Sequence, residues 1–77
     1  MTTRYEFRTR KGMFAVQQRD DGHWITMFEN EALEPHETAE KAAHALSSGE
    51  GVWPSCGDTS EFGIPEELSG WRRVLSL

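Results

Sequence analysis

The sequence predicts an α+β fold in which a three- to four-stranded antiparallel meander packs against one short helix, with a loop-rich C-terminal segment holding a second short helix. Three observations predict it. Tyr5-Glu6-Phe7-Arg8 alternates apolar and charged residues, the turn cluster Asp20-Asp21-Gly22 separates two further strand-like runs, Met13 to Gln18 and Trp24 to Phe28, and an alanine-rich stripe at helical spacing follows Thr38. Seventy-seven residues make a single domain spanning 1–77. A chain of this size buries only about 60% of its extended surface and has none to spare for a second core. Its margin of stability is expected to be small, roughly 3 to 5 kcal/mol.

Taken in order, Tyr5-Glu6-Phe7-Arg8 reads as a half-buried strand that Arg10-Lys11-Gly12 ends. From Met13 to Gln18 the alternation resumes, with Phe14 and Val16 on one face and Met13 and Ala15 on the other. Asp20-Asp21-Gly22 supplies hairpin chemistry, because Gly22 tolerates a positive φ. Trp24 to Phe28 is the returning strand, with Trp24, Thr26 and Phe28 opposite Ile25 and Met27. A tight turn at Glu29-Asn30-Glu31 leads to a short edge strand, Ala32 to Glu34, ended by Pro35, which has no N–H to donate.

Thr38 is suited to cap a helix over about 39–48, since its hydroxyl can accept from a free first-turn N–H. Ala39, Ala42, Ala43 and Leu46 form one apolar stripe whose small side chains allow close approach to the sheet, and Gly49 suits the left-handed position that follows. The stretch Glu50 to Gly63 reads as loop, although it holds Val52, Trp53 and Phe62. Ile64-Pro65-Glu66-Glu67-Leu68 has the pattern of a helix start, with Pro65 at the first helical position and Gly70 keeping the helix short.

Met13, Ala15, Ile25 and Met27 make the second sheet face apolar as well, where a half-exposed sheet shows polar residues. That face is expected to be covered, either by the C-terminal segment with Trp53, Phe62, Leu68, Trp71, Val74, Leu75 and Leu77, or by a second copy or other protein partner. These four residues are the candidate partner-binding site.

The net charge of −5 is unevenly spread: residues 1–19 carry +4 and the remainder −9. Arg8, Arg10, Lys11 and Arg19 are therefore a candidate nucleic-acid site, read as lining the edge of the basic N-terminal strand. The overall acidity and the lack of a dense basic cluster elsewhere weigh against it, since phosphate neutralisation supplies most of such affinity. No phosphate-cradling glycine motif occurs, and His23, His36, His44 and Cys56 lack metal-ligand spacing, so no cofactor and no metal are expected. Ser55, Cys56 and Ser60 lie near Asp58, but no nucleophile elbow accompanies them, and Asp58-Thr59-Ser60-Glu61 reads as a capped turn. The chain is not expected to be an enzyme. A pocket near Trp53, Cys56 and Phe62 would be the place for a ligand if it were one.

Cys56 is the single cysteine, no apolar leader follows the first residues, and no stretch is long enough to span a membrane. A cytoplasmic location with no membrane partner is the expectation.

Taken together, Phe14-x-Val16, Gly22-His23-Trp24 with Phe28, Leu33, Thr38-x-Glu40-x-Ala42-Ala43 with Leu46 and Gly49, Asp58, and Gly63-Ile64-Pro65-x-x-Leu68-x-x-Trp71 resemble a family of short bacterial proteins of uncharacterised function. The resemblance covers about residues 12–73 and implies no activity. Three strands followed by Thr38-Ala39-Glu40-Lys41-Ala42-Ala43 are similar, more distantly, to small DNA-binding domains built of a sheet and one helix. The function expected from these readings is a noncatalytic interaction or regulatory module, with a homodimer as one form. The alternative is a nucleic-acid-binding domain.

Overall fold

The computed structural model describes residues 2–76, with the side chains of Thr2 and Ser76 outside the description. Five strands, β1 (Thr2–Thr9), β2 (Gly12–Gln18), β3 (Trp24–Phe28), β4 (Glu31–His36) and β5 (Arg72–Ser76), form one sheet, and one helix, α1 (Ala39–Ser48), crosses it. Strand order is β4-β3-β2-β1-β5, antiparallel throughout. The meander of the first four strands is as the alternation foretold, but the sheet has a fifth strand and β1 is longer than Tyr5 to Arg8. Among the described residues no helix is long and apolar enough to cross a membrane.

β1 and β2 are joined through Arg10 and Lys11, with Thr9 opposite Gly12. Gly12 has φ 146, and a Cβ there would meet the Phe28 ring at 2.9 Å, so the connection needs glycine. At the β2–β3 hairpin the Arg19 N–H donates to the His23 carbonyl at 2.8 Å, and the Asp21 carboxylate accepts from the His23 N–H at 3.0 Å. β4 continues past Pro35 to His36, which an edge strand permits because no outer neighbour needs the missing N–H.

The β3–β4 pairing carries a bulge: Ile25 to Met27 on β3 faces Pro35 to Ala32 on β4, three residues against four. Thr26, 1% exposed, closes the gap. Its hydroxyl accepts from the Glu34 N–H at 3.3 Å and donates to the Glu34 carbonyl at 3.2 Å, so the buried polar group and the displaced backbone satisfy each other.

α1 begins and ends where its caps dictate. The Thr38 hydroxyl accepts from the Lys41 N–H at 3.1 Å, and Gly49, at φ 76, donates its N–H to the Ala45 carbonyl. Ala39, Ala42, Ala43, Ala45 and Leu46 are buried against the sheet. Beneath them Phe14 and Val16 are wholly buried, and Phe14 packs against Phe28 with ring centroids 4.9 Å apart.

The C-terminal segment departs from expectation. No second α-helix forms at Pro65; the chain makes a single 3₁₀ turn at Leu68–Gly70 and then enters β5. Gly70 lies so close to Pro65 that a Cβ there would sit 2.6 Å from the proline Cβ, and the Trp71 indole donates to the Pro65 carbonyl at 2.9 Å. This folded-back loop places Trp71, 6% exposed, in the core, whereas a helix continued through 65–71 would forgo that hydrogen bond and the pairing of Arg72 to Ser76 with β1.

The C-terminal segment also takes the opposite side from the one expected. Phe62 lies 5.9 Å from Phe14, Trp71 lies 5.9 Å from Phe7, and Ile64 and Leu68 join the same cluster beside α1. Helix and segment thus share one sheet face. Trp53 is 53% exposed and Leu75 52%, so neither covers the second face, and Leu77 lies outside the described residues.

Candidate functional site

The second sheet face is the site the strand registers build. Residues paired across neighbouring antiparallel strands share a face, so the pairings give its rows. One row runs Arg72, Glu6, Ala15, Met27, Ala32 from β5 to β4. The next runs Val74, Arg4, Gln17, Ile25, Pro35, and a third joins Arg8 to Met13. The face therefore divides lengthwise: its β1–β5 half is charged apart from Val74, and its β2–β4 half is apolar apart from Gln17.

All four residues expected here are brought together. Ala15 is wholly buried, while Met13, Ile25 and Met27 are half-buried. They stand outside the core cluster that α1, Ile64 and Trp71 form, and the C-terminal segment comes near them at Gly70, which lines a depression together with Met13. The Arg4 Nε donates to Glu6 Oε2 at 2.7 Å and one terminal nitrogen donates to Gln17 Oε1 at 3.2 Å, the same nitrogen lying 4.0 Å from the Met27 sulfur. Arg4 thus reaches from β1 toward β3, and Ala15, paired with Glu6 on one side and Met27 on the other, is shut off from solvent. Beside it, Glu6, Phe7, Arg8, Met13, Gly70 and Arg72 line a depression of about 260 Å³.

Arg4, Glu6 and Arg72 were not singled out by sequence reasoning. Arg4 and Glu6 were findable, because the alternation that puts Tyr5 and Phe7 in the core puts their neighbours on the other face. Arg72 was not, since its position depends on β5.

The four basic residues proposed for nucleic acid do not line a sheet edge. β5 pairs with β1, which is therefore an interior strand. Arg8 lies on the open face, whereas Arg10 stacks over the Phe62 ring, 5.5 Å from its centroid, on the helix side. Lys11 sits in the β1–β2 turn, and Arg19 lies at the other end of β2, paired with Asp21 at 3.2 Å.

A cavity of about 760 Å³ lies elsewhere, between α1, β4 and the 66–69 segment. His36 and His44 both line it, with Glu34, Glu50 and Glu66. His44 Nδ1 is 3.0 Å from Glu66 Oε1, and His36 Nε2 stands 3.0 Å from Glu34 Oε1 without hydrogen-bond alignment. Among the described residues no group of three or more side chains could hold a metal ion.

Trp53, Cys56 and Phe62 line none of the three best-formed cavities of the described residues. The Trp53 indole donates to the Gly49 carbonyl at 2.8 Å, closing the end of α1, and Phe62 belongs to the core margin. Burial pushes the Cys56 thiol above its ordinary range, which lowers its thiolate fraction and with it its nucleophilicity. Asp58 caps the following 3₁₀ turn, accepting from the Ser60 N–H at 2.9 Å and from its hydroxyl at 2.7 Å. Compared with protein-family models, curated proteins and solved structures, the chain matches none.

Proposed function

We propose that the protein is a noncatalytic interaction module that docks a protein surface, its own copy or another chain, on the open face of its sheet. The observation that carries this reading is the apolar half of that face, Met13, Ala15, Ile25 and Met27, left outside the core cluster although the chain has an α-helix and a long C-terminal segment, both spent on the other side. A contiguous apolar surface rimmed by charge is the usual mark of a contact site. Methionine suits it, because an unbranched thioether adapts to the shape it meets.

The experiment is light scattering over a dilution series, run on the wild type and on Met27→Glu and Ile25→Glu. Docking of a second copy gives a mass that approaches two chains and returns to one in either variant. A single-chain mass at every concentration excludes a second copy as the occupant. A larger mass that survives both substitutions puts the contact elsewhere and overturns the proposal.

A further inference from the structure

The open face is not only apolar; it is basic on an acidic molecule. Arg4, Arg8 and Arg72 stand against Glu6 alone, which leaves the side chains of this face at +2 on a chain of −5, and so the rest of the molecule at −7. The positive charge is not scattered through the apolar residues. It lies along β1 and β5, beside the strip on β2, β3 and β4, with Arg8 and Arg72 exposed and Arg4 already held by Glu6 and Gln17.

From this arrangement we propose that the open face receives an acidic amphipathic helix of another protein, its apolar side on Met13, Ile25 and Met27 and its carboxylates against Arg8 and Arg72. The inference rests on the docking reading above and adds the chemistry of the occupant. The dimensions agree, since three strands span two gaps of about 4.8 Å and a helix is about 10 Å across. One helix laid along the strands covers β2 to β4 and brings one flank over β1.

Charge selects among occupants. A second copy docked by the same face opposes +2 with +2, an arrangement that like-charge repulsion disfavours. Nucleic acid would find two exposed guanidiniums beside a carboxylate and a strip of methionine, isoleucine and alanine. That strip offers no aromatic ring on which a base could stack. An acidic helix meets both halves of the face with what each lacks.

The test uses the full chain with methyl-labelled methionine and isoleucine, and two synthetic helical peptides that share a leucine stripe and differ in carrying glutamate or lysine along its flank. The glutamate peptide is expected to shift the methyl signals of Met13, Ile25 and Met27, and to bind about tenfold more tightly than the lysine peptide. In Arg8→Glu/Arg72→Glu, whose substituted side chains are exposed and whose fold is checked by its amide spectrum, that order should reverse. If the lysine peptide shifts the same methyls and binds the wild type equally or better, the acidic assignment falls while the docking reading stands. If neither peptide moves those methyls, the inference falls, and the docking reading is decided by the light-scattering series alone. A single-stranded DNA oligonucleotide that moves them as strongly as the glutamate peptide, or a dimer that buries them with no peptide present, also overturns the inference.

Discussion

Thr26 occupies a position where the alternation of β3 calls for an apolar residue, between Trp24 and Phe28, and its hydroxyl is what lets β4 run irregularly. Thr26→Val keeps the shape and removes the hydroxyl to which the Glu34 N–H donates at the bulge. The variant is expected to lose about 1–3 kcal/mol in urea denaturation, and unchanged stability would show that the bulge does not depend on the hydroxyl. The sequence showed the residue and its face but not this role, because the bulge exists only once β3 and β4 are in register.

Asp21 offers a pH-dependent counterpart. The His23 N–H holds its carboxyl below the ordinary value of 3.8; burial, the next largest effect, opposes it, and the Arg19 charge adds a smaller lowering. A depressed acid stabilises the folded turn above its unfolded value and loses that contribution as pH falls. The His23 amide signal should therefore titrate with a midpoint below 3.8, and Asp21→Asn should abolish the titration. A midpoint above that value would contradict the hydrogen bond.

At the scale of elements, α1 was legible almost to the residue, because its limits are set by local chemistry: a threonine hydroxyl at one end and a left-handed glycine at the other. Gly49→Ala strains a φ of 76 and brings a Cβ within 2.5 Å of the Asp58 carboxylate. A loss of about 1 to 2 kcal/mol is expected by thermal or urea denaturation, and a gain would show that α1 ends otherwise. The segment after Ile64 was misread for the complementary reason. Pro65 with two following glutamates is good helix-start chemistry, but Trp71 decides the outcome through a burial that sequence spacing does not disclose. Trp71→Ala removes a buried indole, its bond to the Pro65 carbonyl and the anchor of β5, and is expected to cost about 3–5 kcal/mol, enough to leave a chain this small largely unfolded. A cooperative unfolding transition near the wild-type midpoint would count against that anchor.

At the scale of the whole molecule, the alternation of β1 to β3 disclosed that both sheet faces carry apolar residues. It could not disclose how the chain would distribute its covers. Phe62, Ile64, Leu68 and Trp71 join α1 because Phe14, Phe28 and Phe7 present larger surfaces to bury than Ala15 and its neighbours do, and area removed from water is what drives the choice. The result is one thick core and one open face. The same distribution separates the charge, since β5 brings Arg72 to the side where Arg4 and Arg8 already stand.

The openness of that face is the claim on which the functional reading depends, and Met27→Glu measures it directly. Met27 half-buried on an uncovered face predicts a folded, cooperative protein whose unfolding free energy in urea stays within about 1 kcal/mol of the wild type. A loss of about 3 kcal/mol or more, the size expected for a buried charge in a core, would show that the face is already covered and would contradict the account.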